Sequence, residues 1–90
     1  MLFRSIKFMS VKVTIYSRHG CHLCEIAESA VRDVNKEVSF DLQVLYIDGD
    51  AALEKEYGEE VPVTLINGKR HDYFKVDKKR FTEAVLHLHQ

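Results

Sequence analysis

The sequence predicts an α/β domain built on a four-stranded mixed sheet with flanking helices. Three observations carry this reading. Strand-like and helix-like hydrophobic patterns follow one another in the order β-α-β-α-β-β-α. The last two strand segments are joined by Asn67-Gly68, the two-residue turn most selective for a hairpin. Finally, 90 residues with 46% hydrophobic and 30% charged side chains have the make-up of one small globular domain.

Taken in order, residues 11 to 16 (VKVTIY) alternate and place Val11, Val13 and Ile15 on one face, as in a half-buried strand. The loop SRHG follows. Leu23, Ile26, Ala27, Ala30, Val31 and Val34 then recur at helical spacing. They predict one apolar stripe, with Glu25, Glu28, Arg32, Asp33 and Lys36 toward water. This helix begins near Cys21. Residues 42 to 47 (LQVLYI) are almost wholly apolar, the pattern of a strand covered on both faces. Asp48-Gly49-Asp50 closes it, and an Asp caps the short helix AALEKEY, which Gly58 stops.

VPVTLI and KRHDYF flank the Asn67-Gly68 turn as hairpin strands. Asp77 caps the last helix, Val76 and Phe81 staple across the cap, and Phe81, Ala84, Val85 and Leu88 are its buried stripe. The first strand–helix–strand unit is expected to be right-handed with parallel strands, and helices are expected on both sheet faces. Tyr16, Tyr46, Tyr57 and Tyr73 read as packing residues, His71 as solvent-facing, and Lys78-Lys79-Arg80 as a solvated run. Residues 1–9 (MLFRSIKFM) carry Arg4 and Lys7 and no acid. They read as an N-terminal extension, which leaves residues 10–90 as the domain.

Composition excludes several functions. A net charge of −1, from 13 basic and 14 acidic residues, leaves no electrostatic footprint for nucleic acid or an anionic membrane. No apolar run approaches the ~20 residues of a membrane span. Two cysteines are too few for a disulfide-dense secreted scaffold. The expectation is a cytoplasmic monomer.

The chemistry lies in Cys21 and Cys24. Residues three apart on a helical turn share a face, and a Cα separation of roughly 5 Å falls within the disulfide window. Cys21 stands at the helix N-terminus, where free N–H groups and the helix dipole favour an anion. A thiolate is such an anion, so the Cys21 pKa is expected below the ~8.5 of a free thiol. Arg18 and His22 bring further positive charge. Cys24 lies one turn deeper, where burial favours the thiol. Cys21 is therefore read as the attacking nucleophile and Cys24 as the resolving thiol. The only Pro of the chain, Pro62, opens a strand where it cannot donate a ladder bond.

Y-S-R-H-G-C-H-L-C, residues 16–24, resembles the glutaredoxin active-site segment. V-P-V-T-L-I-N-G-K, residues 61–69, resembles the hairpin that follows in glutaredoxins. The resemblance covers about residues 10–90 and is strongest to a small glutaredoxin-like subfamily with C-H-L-C. It implies a thioredoxin-like fold and a thiol–disulfide oxidoreductase. It further implies a cis peptide before Pro62, a Val61 backbone that pairs with peptide-like substrate, and Arg18 as a carboxylate contact. The implied substrates are protein disulfides or glutathione mixed disulfides. No bound cofactor is implied, and the implied reductant is glutathione or a dedicated reductase.

Two departures stand out. His22-Leu23 replaces Pro-Tyr between the cysteines, and a His there stabilises the thiolate. Asp72-Tyr73-Phe74-Lys75 stands where glutaredoxins carry Gly-Gly and an Asp that holds glutathione. Two other readings of the motif remain open at this point: a redox switch with little turnover, and a metal-binding module. His19, Cys21, His22 and Cys24 are four potential ligands in six residues, but no second pair exists to close a tetrahedral site within one chain.

Overall fold

The computed structural model describes residues 11–88; the extension read at residues 1–9 lies outside them. The elements are β1 (Lys12–Ser17), α1 (His22–Asn35), β2 (Asp41–Tyr46), α2 (Ala51–Tyr57), β3 (Val63–Ile66), β4 (Lys69–Tyr73) and α3 (Lys78–Leu88). The order is the predicted one. The sheet runs β2-β1-β3-β4, with β1 parallel to β2 and antiparallel to β3. Asn67 and Gly68 take φ of 51° and 82°, so the hairpin turn forms where both residues tolerate positive φ. Asp50 and Asp77 cap α2 and α3, accepting from the N–H groups of Leu53 and Arg80.

In the register, Val13 faces Ile66 and Ile15 faces Thr64. Val11, Val13, Ile15, Thr64 and Ile66 therefore line one sheet face, all buried. Val31 and Val34 of α1 and Phe81 and Val85 of α3 complete the core with Phe40, whose ring meets Phe81 edge-on at 5.5 Å. Val76 and Ala84 pack against this cluster, as the staple and the α3 stripe require. Leu88, expected in that stripe, is exposed at the helix end.

Helices lie on both sheet faces, as expected: α1 and α3 share one, and α2 lies on the other, where Tyr57 stacks on Tyr16 at 4.3 Å. Three expectations are corrected. First, β2 is not covered on both faces; it is an edge strand. The crossover through α1 delivers it outside β1, and β3 occupies the other flank. Asp41, Gln43 and Tyr46 are exposed, while Leu42 and Val44 pack inward.

Second, the buried stripe of α1 is Cys24, Ala27, Val31 and Val34. Leu23 and Ile26 are 49% and 51% exposed, because Cys24 takes the inward place. Glu28, assigned to water, turns in and accepts a hydrogen bond from the Ser17 hydroxyl at 3.0 Å. Third, His71 does not face solvent. The β3–β4 register passes from Thr64↔Asp72 to Leu65↔Arg70, leaving His71 as a bulge residue. Its ring turns to Phe81, edge-on at 6.0 Å. Two residues of the exposed charged run are also paired: Lys78 meets Asp33 at 3.2 Å and Arg80 meets Asp72 at 2.9 Å.

The Nε2 atom of His71 is buried without a hydrogen-bond partner. Burial, helped by Arg80 and opposed by Asp72 and Asp77, pushes the His71 pKa below its ordinary value. The folded state thus prefers neutral His71. Its contribution to stability is present above the unfolded value of ~6.5 and is lost as pH falls through the lower folded value. Urea unfolding at pH 7.5 and 5.0 should show a loss of stability at the lower pH that His71→Leu reduces.

Candidate active site

β1 and β2 are parallel, and β4 runs with them through the antiparallel β3. The segments after β1, β2 and β4 and the segment before β3 therefore gather at one end of the sheet. This is the end at which open α/β sheets bind ligands. Cys21, Asp48, Pro62 and Phe74 all lie on these segments.

Cys21 is the N-cap of α1, with extended φ and ψ of −99° and 112°. Its Sγ accepts the N–H of Cys24 at 3.1 Å, and its carbonyl accepts the N–H of Glu25. A sulfur thus takes the place that a capping oxygen usually fills. Cys21 and Cys24 form a disulfide with Cα atoms 5.2 Å apart. Cys21 is half-buried, whereas Cys24 is 1% exposed. His22 is the first residue of α1 and is exposed. One sulfur is reachable and the other is set behind it, in the core.

The preceding loop is held from two sides. The side chain of Asp48 accepts the His19 N–H at 3.1 Å and lies 3.3 Å from its Nδ1. The His19 ring stacks on Tyr46 at 4.0 Å. That N–H holds the Asp48 carboxyl below the usual range. Arg18 donates to both Glu54 carboxylate oxygens, at 2.8 and 3.2 Å, and to the Gly58 carbonyl at 3.1 Å. The Glu54 hydrogen bond raises its pKa further. These contacts tie the loop before Cys21 to the middle of α2 and to its C-cap. The guanidinium expected to meet a substrate carboxylate is thus engaged within the chain. Gly58 permits this junction, since a Cβ there would press into the Glu54 carbonyl. Among the described residues, no group of three His, Cys, Asp or Glu side chains is arranged to hold a metal ion.

The Val61–Pro62 peptide is cis and Pro62 is fully buried. The Pro62 carbonyl accepts the Phe74 N–H at 2.8 Å. The amide and carbonyl of Val61 make no hydrogen bond among the described residues.

Sequence reasoning missed two features here. Ser17 and Glu28 form a polar pair behind α1; its sign was a Ser at an inward position of β1, which needs a partner when buried. Phe74 has φ of 68°, a left-handed conformation that is an outlier for a bulky residue. The departure from Gly-Gly pointed to this stretch, but the conformation itself could be seen only in the structure.

The family model of the Glutaredoxin-like domain (DUF836) matches residues 12–86. An uncharacterised protein of Mycobacterium tuberculosis, Rv0508, is 30% identical over 79 residues, spanning 82% of this chain and 81% of that protein. The X-ray structure of protein XcR50 from X. campestris superposes with a TM-score of 0.71 at 32% identity. It covers 83% of this chain and 96% of its own. A thioredoxin of Halobacterium salinarum shares the fold, with a TM-score of 0.67 at 16% identity over 90% of this chain and 76% of its own.

A left-handed Phe carries a backbone cost of ~1–2 kcal/mol, and the ring is 44% exposed, so packing returns little. Gly offsets part of the relief through unfolded-state entropy of ~0.5–1 kcal/mol. Phe74→Gly should therefore stabilise the fold by up to about 1 kcal/mol, read from the urea midpoint at unchanged m-value.

Proposed function

This chain belongs to the glutaredoxin-like family of the thioredoxin superfamily, and from that membership we propose that it is a dithiol oxidoreductase that reduces polypeptide disulfides or glutathione mixed disulfides. One observation carries the reading. A half-buried Cys21 caps a helix while its partner Cys24 is buried one turn behind it. The helix N-terminus stabilises the Cys21 thiolate through its N–H groups and dipole, and the accessible sulfur is the one so stabilised.

In the reaction, the Cys21 thiolate attacks one sulfur of the substrate disulfide. That S–S bond breaks, a mixed disulfide forms on Cys21, and the displaced thiolate takes a proton. Cys24 gives up its proton and attacks the Cys21 sulfur. The Cys21–Cys24 disulfide forms, the second substrate thiol leaves, and two electrons have passed from the dithiol to the substrate. A thiol reductant, either glutathione or a dithiol reductase, returns two electrons to the pair. Such a supply belongs to a reducing compartment such as the cytoplasm. No described helix is long and apolar enough to cross a membrane. The chemistry calls for no bound prosthetic group and no second subunit.

Within this reading, the unpaired peptide groups of Val61 receive the substrate backbone beside buried Pro62. His22, at the start of the helix, adds positive character when protonated. Arg18 acts by positioning the loop before Cys21, through Glu54 and Gly58.

Thiolate absorbance should titrate with a pKa below ~8.5, and Cys21→Ser should remove that transition and lower disulfide reduction by at least about a hundredfold. Cys24→Ser should instead accumulate the mixed disulfide on Cys21, visible as added mass. A thiolate pKa at or above ~8.5, or activity that survives Cys21→Ser, overturns the assignment.

A further inference from the structure

We propose that Phe74 selects polypeptide disulfides carrying an apolar side chain about three residues from the reacting cysteine; this rests on the oxidoreductase reading above. Phe74 is held at φ 68° by its N–H bond to the Pro62 carbonyl and by the Lys75 N–H bond to the Tyr73 carbonyl, each 2.8 Å. A bulky side chain is disfavoured in that conformation, and Gly is the residue that adopts it freely.

The ring is not compensated inside the chain. It is 44% exposed, and its ring contact is an edge-on one with Tyr73 at 5.1 Å. Tyr73 is itself 48% exposed. Two aromatic rings thus stand together on the surface, one of them on strained backbone. Strain of this kind collects at ligand clamps, and exposed aromatic pairs are strong contact elements.

Their place on the sheet gives the ligand. Tyr73 pairs with Val63, and Val63 pairs with Tyr16. Phe74 therefore sits two strand spacings, or ~10 Å, from the line of β1 that leads to Cys21. Between them lie the unpaired peptide groups of Val61. An extended chain rises ~3.3 Å per residue, so a substrate bonded to Cys21 and drawn over Val61 presents to the rings a side chain about three residues away. An apolar side chain gains burial against the two rings; a carboxylate gains none.

The test uses the whole protein and glutathione mixed disulfides of matched peptides. The peptides differ only in Leu or Asp at the third position before or after the cysteine. The wild-type kcat/KM should favour Leu on one side by about tenfold. In Phe74→Gly and Phe74→Asn, two residues that accept positive φ, that ratio should fall to within about twofold of one. Thermal unfolding at or above the wild-type temperature shows that both variants are folded. No preference in the wild type, or a preference that survives in both variants, overturns the proposal. A small uncharged disulfide separates the two levels. If the wild type reduces it but shows no peptide preference, only the role of Phe74 falls. If the wild type reduces neither that disulfide nor any peptide, the oxidoreductase reading falls and takes this inference with it.

Discussion

Burial of Cys24 fixes how α1 lies on the sheet. Once that sulfur takes an inward position, Ala27, Val31 and Val34 follow it into the core at helical spacing. Leu23 and Ile26 are left outside, although their hydrophobicity alone would draw them in. The same rotation brings Glu28 under the helix to the Ser17 hydroxyl and sets Cys21 at the cap, half-covered. The difference between the two sulfurs is therefore a packing result. One is a core side chain and the other is the last residue before the helix begins.

Local chemistry made much of this legible. Alternating Val11, Val13 and Ile15, the Asn67-Gly68 turn, the Asp77 cap and a cap on α2 from Asp48 or Asp50 each depend on a few neighbouring residues; each formed, with Asp50 as the α2 cap. The cysteine cap was legible for the same reason. What the sequence hid depends on pairing over long separations. The apolar run of β2 reads as a strand covered on both faces, yet at the sheet edge Asp41, Gln43 and Tyr46 are exposed. His71 reads as an outward hairpin residue until a bulge shifts the parity of β4. Arg18 reads as a free charge because its partner Glu54 is 36 residues away. Hydrophobic pattern does not encode a register slip or a remote ion pair.

The electrostatics around Cys21 are correspondingly short-ranged. Nearby Arg18 is bidentate on Glu54, and His19 is turned to Asp48. Fixed charge close to the sulfur is thus largely spent on holding the loop. What remains for a thiolate are the N–H groups at the start of α1, which act within the first turn, and the neighbouring His22. A near-neutral chain is compatible with such a site, because the site does not draw on the charge of the whole molecule.

The second sheet face links α2 to the cysteine motif. No α2 residue is itself buried, yet Val63, on the same face as Tyr16, is fully covered. Arg18 joins Glu54 of α2 and the Gly58 carbonyl to the loop ahead of Cys21. A displacement of α2 is thereby transmitted to the segment that holds Cys21, while Cys24 keeps its place in the core. The two sulfurs of a single motif thus answer to different neighbours.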